Sequence, residues 1–201
     1  MISIKHIQKK FGEKDVFKDL SMEIPNNSFV VITGESGCGK TTLLNMLGYL
    51  EKPDAGDIVV DGKSLKDIKQ REFFRNYVGF LFQNFALVEN KTVRANLNII
   101  KKVNRTDLTM EEALAKVGLE DKADTAVYKL SGGEQQRVAL ARVMLKQCRY
   151  ILADEPTGSL DEKNANIVMS HLHALKEAGK TVIMVTHNRE YLKDADMVVE
   201  L

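Results

Sequence analysis

Apolar and polar residues alternate along "ISIKHI", a period of two that predicts a strand over residues 2–7. A second strand is expected over 16–24, stopped by Pro25-Asn26-Asn27. Residues 28–33 are instead almost wholly apolar, as in a strand buried on both faces, and they run straight into a glycine-rich loop. Helical spacing follows over 40–50 and closes at Lys52-Pro53-Asp54. "GDIVVDG" reads as a short strand between turns, and 77–82 as another apolar strand. From 84 to 147 the period changes: helices are expected over 93–102, 110–117 and 132–147, with no strand among them. Beyond that block, strands over 150–153, 181–186 and 197–201 alternate with helices over 162–178 and 189–193. Strand–helix alternation on both sides of a helical block predicts an α/β core with parallel central strands, a helical insertion, and a small antiparallel sheet from the leading strands.

Bulk properties narrow the function classes. The 201 residues suit one domain with a modest insertion. Lys and Arg total 29 against 28 Asp and Glu, a net charge of +1, so nothing favours a nucleic-acid partner. No apolar run approaches the roughly 20 residues that cross a bilayer, and "MISIKHIQKK" has no signal-peptide core. Two cysteines, Cys38 and Cys148, fit a reducing cytosol. The expected compartment is the cytoplasm, with any membrane link made through a partner.

Four stretches carry chemistry. Gly34-Glu35-Ser36-Gly37-Cys38-Gly39-Lys40-Thr41-Thr42 matches the phosphate loop G-x-x-x-x-G-K-[S/T] between a strand and a helix. Its backbone N–H groups suit phosphates, Lys40 the β/γ oxygens, and the Thr41 hydroxyl Mg²⁺. In "YILADEP", Asp154 and Glu155 end a buried strand, where Mg²⁺ beside Asp154 would offset its charge and Glu155 would polarise an attacking water. His187 follows "TVIMVT", and Gln83 follows "VGFLF", each at a strand end where α/β sheets bind ligands. His6, His171 and His173 form no metal set. In "LSGGEQQR", Ser131 and Glu134 fit a helix capping box, which leaves Gly132 and Gly133 unexplained. The stripes Val138/Ala141/Leu145 and Leu140/Met144/Cys148 read as core contacts, and Arg137 and Arg142 as exposed or paired with acids.

In this order the stretches resemble the nucleotide-binding subunit of ATP-binding-cassette (ABC) transporters over essentially the whole chain. "GESGCGKTT" is similar to Walker A, "YILADE" to Walker B with its glutamate, "LSGGEQQR" to the ABC signature, and "GSLD" (Gly158, Ser159, Leu160, Asp161) to the D-loop. Gln83 resembles the Q-loop glutamine and His187 the switch histidine. The resemblance implies a P-loop NTPase with a RecA-like core (1–83 and 148–201, with its antiparallel part) and a helical subdomain (84–147). It implies ATP and Mg²⁺, the latter held by Thr41, Gln83 and Asp154. Glu155 would be the general base, His187 would hold the γ-phosphate and water, and Lys40 would complete the catalytic set. Two subunits would pack head to tail, so that Ser131, Gly132, Gly133 and Glu134 serve a partner's ATP across an interface that includes Ser159, Leu160 and Asp161. Phe11 stands where the family often stacks adenine on tyrosine, and Asn27 where it usually has glycine. The "ITGESGCGKTTLLNMLGYLEKPDAGDIVVDG" run looks most like the lipoprotein-release, macrolide and antimicrobial-peptide exporter subgroup. That subgroup implies a homodimeric ATPase driving a separate integral membrane permease from the cytoplasmic face. The alternative is a non-transport ATPase that regulates a membrane partner controlling an extracytoplasmic enzyme.

Overall fold

The computed structural model describes residues 1–201. Strands β1 (Ile2–Phe11), β2 (Lys14–Ile24), β4 (Ala55–Val60) and β5 (Lys63–Ser64) form an antiparallel sheet in the order β2-β1-β4-β5. Strands β3 (Phe29–Thr33), β6 (Val78–Phe82), β7 (Tyr150–Asp154), β8 (Thr181–Val185) and β9 (Met197–Glu200) form an all-parallel sheet in the order β6-β7-β8-β3-β9. The expected α/β class, with both sheets, is what the chain adopts.

Side chains leave a strand on alternate faces, so the parallel sheet feeds two cores. Phe29 and Val31 of β3, with Val182 and Met184 of β8, enter a cluster shared with α5 (Gly132–Leu145) and α6 (Glu162–Glu177). Val30, Ile32, Ile183 and Val185 enter the other, shared with α1 (Lys40–Leu47) and the antiparallel sheet. A sheet covered on both faces is why these strands are apolar at nearly every position.

Several elements differ from the sequence expectation. α1 ends at Leu47, and its carbonyls take N–H groups from Gly48 to Leu50. α2 (Gln70–Asn76) was not expected; it buries only Phe73, too little apolar pattern to register. The helix expected over 93–102 stops at Leu97 (α3, Val93–Leu97), because Arg105 gathers the carbonyls of Leu97 and Ile100 and the Asn98 side chain. α4 (Met110–Lys116) carries a Thr109–Glu112 capping box, and Arg189–Asp194 is a 3₁₀ turn, not an α-helix. α5 is buried almost all round rather than along two stripes. Asn27 holds φ at 55°, the left-handed conformation that asparagine tolerates in place of glycine.

Register sets up the site. Phe82, Asp154, Val185 and Ile32 form one row across β6, β7, β8 and β3. The next residues, Gln83, Glu155, Thr186 and Thr33, therefore leave the sheet side by side at its carboxyl edge.

Candidate active site

The loop after β3 wraps the N-terminus of α1, whose cap residue Gly39 is left-handed (φ 108°) and offers no side-chain cap. A Cβ on Gly39 would lie 2.5 Å from Val16 and 2.8 Å from Phe17, so only glycine lets the loop lie this close to β2. The first-turn N–H groups of α1 thus have no side-chain acceptor, a geometry suited to an anion. Lys40 Nζ donates to the Gly34 and Glu35 carbonyls at 2.9 and 2.7 Å, which fixes the ammonium at the loop mouth. Phe11, Ser36, Lys40, Thr41, Thr42 and Glu155 line one cleft of about 360 Å³. Lys14 lines it too and donates to the Gly37 carbonyl at 3.1 Å; neither a motif nor a period marks it in the sequence.

The Walker-like pair is joined across the sheet. Thr41 Oγ1 donates to Asp154 Oδ1 at 3.2 Å. Burial, and after it the neighbouring Glu155 charge, raise the Asp154 pKa despite that bond. A raised folded-state pKa means the ionised form is the costly one: stability is lost as pH rises through it and regained below the unfolded value. Asp154→Asn is therefore expected to raise Tm near pH 7, with the gain vanishing below about pH 4. Melting curves at the two pH values check this, and an unchanged or lowered Tm near pH 7 would contradict it.

Glu155 is left-handed (φ 44°), a strained backbone for a non-glycine residue, and its side chain is 18% exposed. Its Oε1 lies 2.9 Å from His187 Nδ1, while its buried Oε2 has no hydrogen-bond partner. An ionised carboxylate only accepts, so the shared hydrogen belongs to Nδ1. Gln83 shares a second cleft with Asp154 and Ser159.

Thr41 and Asp154 offer a hydroxyl and a carboxylate, hard oxygen donors that suit Mg²⁺. No group of three or more His, Cys, Asp or Glu side chains gathers that could hold a metal by itself. The fit is thus to a cation that phosphate oxygens and waters complete, as Mg²⁺ prefers.

Ser131, Gly132, Gly133 and Glu134 do not line the phosphate-loop cleft. They open α5 through a complete capping box: Ser131 N–H to Glu134 Oε2 at 2.8 Å, Glu134 N–H to Ser131 Oγ at 3.3 Å. The Ser131 N–H bond holds the Glu134 pKa low. A Cβ on Gly133 would meet the Asn164 amide at 2.6 Å, whereas one on Gly132 would touch only Phe85, at an ordinary 3.7 Å. Asp161 caps α6 by accepting the Asn164 N–H at 2.8 Å, and the Asn164 side-chain amide donates to both its oxygens at 2.9 Å. Those bonds hold the Asp161 carboxyl below its usual range.

Two arginine expectations are corrected. Arg137 donates to Asn164 Oδ1, not to an acid. Arg142 is half-buried and donates to the Phe85 and Ala86 carbonyls.

Comparison with known proteins gives this geometry a family. The ABC transporter family profile matches residues 17–158. The chain belongs to the ABC transporter ATP-binding family. The cassette is 38% identical to an uncharacterised ABC transporter ATP-binding protein of Methanocaldococcus jannaschii, over 100% of this chain and 95% of that protein. It is 35% identical to the macrolide export ATP-binding/permease protein MacB of Campylobacter jejuni, covering 100% of this chain but 33% of that protein. Its fold matches a dimeric ATP-binding cassette in a post-hydrolysis state bound to ADP and Pi, with TM-score 0.86 and 34% identity over 100% of this chain and 94% of that one. The cassette is an ABC-type ATPase that binds ATP. No helix of the cassette is long and apolar enough to cross a membrane.

Proposed function

We propose that the cassette is the Mg²⁺-dependent ATPase half of a membrane exporter, working as a homodimer on the cytoplasmic face of a separate permease. The observation that carries the chemistry is Glu155: a strained, mostly buried carboxylate beside the phosphate loop, one oxygen held by His187 and the other unpartnered. The loop N–H groups and Lys40 bind the phosphates. Thr41, Asp154 and the Gln83 side chain would hold Mg²⁺, which when bound offsets charge developing on the β- and γ-phosphate oxygens. Glu155 takes a proton from water as its oxygen bonds to the γ-phosphorus and the bond to the β-phosphate oxygen breaks, releasing ADP and phosphate. His187 keeps the carboxylate aimed and stands ready for the γ-phosphate. Phe11, half exposed at the cleft edge, offers its ring to the adenine. Ser131, Gly132, Gly133 and Glu134 lie away from this cleft and serve a second subunit's ATP, with Ser159, Leu160 and Asp161 at the interface. The dimeric state of the matched cassette supports the assembly, and the ATP-binding/permease name of MacB supports a permease partner. A peptide, lipoprotein or drug is the substrate class.

The permease has a candidate seat. A groove of about 300 Å³ is lined by Arg71, Arg75, Lys101 and Lys146 with Phe74 and Ile99, and none of those four cations makes an ion pair within the chain. Such a surface suits an apolar helix that carries carboxylates. Reversing charge with Arg75→Glu and Lys101→Glu together should cut the ratio of permease-stimulated to basal ATPase about tenfold, measured on the reconstituted complex. The function itself is tested by co-purifying the permease and following ATP-dependent movement of substrate across proteoliposomes. ATP turnover with no transported substrate would replace the exporter reading with a regulatory one.

A further inference from the structure

The segment after Gln83 adopts a conformation that its residues disfavour. Phe85 and Ala86 are successive non-glycine residues in the left-handed region, at φ 62° and 48°. Their own backbone bonds, Phe85 N–H to the Phe82 carbonyl and Ala86 N–H to the Asn84 carbonyl, reach back only three and two residues and leave the outer carbonyls free. Arg142 takes those carbonyls. Its Nη1 donates to Ala86 at 2.7 Å and its Nη2 to Phe85 at 3.1 Å. Further along, the fully buried Asn96 side chain pins Val88 through both its N–H and its carbonyl. The Gln83 side chain is held by none of these bonds.

Arg142 itself has no carboxylate partner: burial lowers its pKa, and the Lys146 ammonium near it is like-signed. A half-buried guanidinium whose protein partners are two neutral carbonyls gains no ion pair in exchange for its partial loss of water. What the guanidinium supplies is geometry, a rigid fork that fixes two neighbouring carbonyls at once. It also sits on α5, the helix that begins at Gly132. At that beginning the same loop makes its second approach, with the Phe85 ring 3.7 Å from where a Gly132 Cβ would stand.

We propose that Arg142 is a positioning residue that clamps the Gln83 loop to α5, so that Gln83 and the start of α5 at Ser131 move together when Mg²⁺ and the γ-phosphate are bound. The inference rests on the roles given above to Gln83 and Ser131. It assigns Arg142 no contact with nucleotide, and it makes the left-handed pair Phe85-Ala86 the joint that the guanidinium holds shut.

The test compares Arg142→Lys, Gln83→Ala and Arg142→Lys with Ala86→Gly. Lysine keeps the charge but cannot bridge two carbonyls, and glycine adopts positive φ without help. Arg142→Lys should lower kcat for ATP at least tenfold and raise the Mg²⁺ concentration for half-maximal rate, while the monomer's Kd for a fluorescent ATP analogue stays within twofold. Adding Ala86→Gly should restore a measurable part of kcat. A folded Arg142→Lys with normal kcat overturns the proposal. So does a loss of kcat that tracks an equal loss of nucleotide affinity, or one that Ala86→Gly leaves untouched, since either marks a purely structural or charge role. Gln83→Ala separates the two layers: if it has normal kcat, the role given to Gln83 fails independently of the clamp. Should Arg142→Lys not fold, hydrogen exchange on a dimer-blocked Ser131→Asn protein decides. Amides at 84–87 and 132–135 should change protection together on adding Mg²⁺ and ATP, and a change confined to 84–87 refutes the clamp.

Discussion

Glu155→Gln is expected to lower the ATPase rate by roughly 100- to 10,000-fold, the usual yield of a positioned general base. Glutamine is nearly isosteric, and its amide oxygen still accepts the His187 Nδ1 hydrogen now bound by Glu155 Oε1 at 2.9 Å. What disappears is the proton acceptor at Oε2, the one atom of the carboxylate that is buried and unpartnered. Binding should persist, because Lys40, Thr41 and the loop backbone are untouched. ATP that binds and is not cleaved should then hold two cassettes together, visible as a dimer in size-exclusion chromatography with ATP and a monomer without it. Phosphate release measures the first half of the prediction. Turnover within twofold of the parent protein would remove Glu155 from the role of base, and His187, 74% exposed beside it, would become the group to test next.

How much of this was legible in the chain differs between core and connections. β3 and β8 announce themselves because both faces are covered, so all but one position in each is apolar, and the phosphate loop, Asp154, Glu155 and His187 all lie at the ends of such strands. Local motif and buried strand agree there, which is why the convergence of these residues at one sheet edge is legible from the chain alone. The helical block was harder. α2 buries one side chain and carries no usable period, and α3 is cut short by Arg105, a contact between residues that no window of helical spacing contains. Arg137 and Arg142 show the same limit from the side of chemistry. A basic residue on a helix is most often solvated, and only the fold reveals that one meets an amide of α6 and the other two carbonyls of a left-handed turn. Lys14 reaches the phosphate loop from a different sheet, so the sequence offers it no motif at all.

Ser131→Asn should abolish ATP-driven dimerisation and reduce turnover at least 100-fold, yet leave the monomer's affinity for ATP within twofold. The substitution is chosen by the capping geometry. Ser131 accepts the Glu134 N–H as the cap of α5, and removing that acceptor with alanine would cost about 1 kcal/mol in the helix itself. Asparagine caps as well as serine does, so it preserves the helix start and changes only the group presented outward. Gly133 is a poorer probe, since an added Cβ would strike Asn164 at 2.6 Å and disturb the Asp161 cap within one subunit. That packing explains Gly133 inside the monomer but leaves Gly132 unaccounted for. Its added Cβ would meet nothing closer than 3.7 Å, and glycine in a helical position is disfavoured against alanine by up to about 1 kcal/mol. A residue that weakens its own helix and has no packing reason to be small leaves room there for something outside the chain, and the head-to-tail assembly proposed above would fill that room with a second cassette's phosphate. Dimerisation is read in the Glu155→Gln background and affinity by titrating a fluorescent nucleotide at protein concentrations too low for pairing. If monomer affinity fell together with dimerisation, "LSGGEQQR" would belong to its own subunit's nucleotide and the head-to-tail assembly would have to be abandoned.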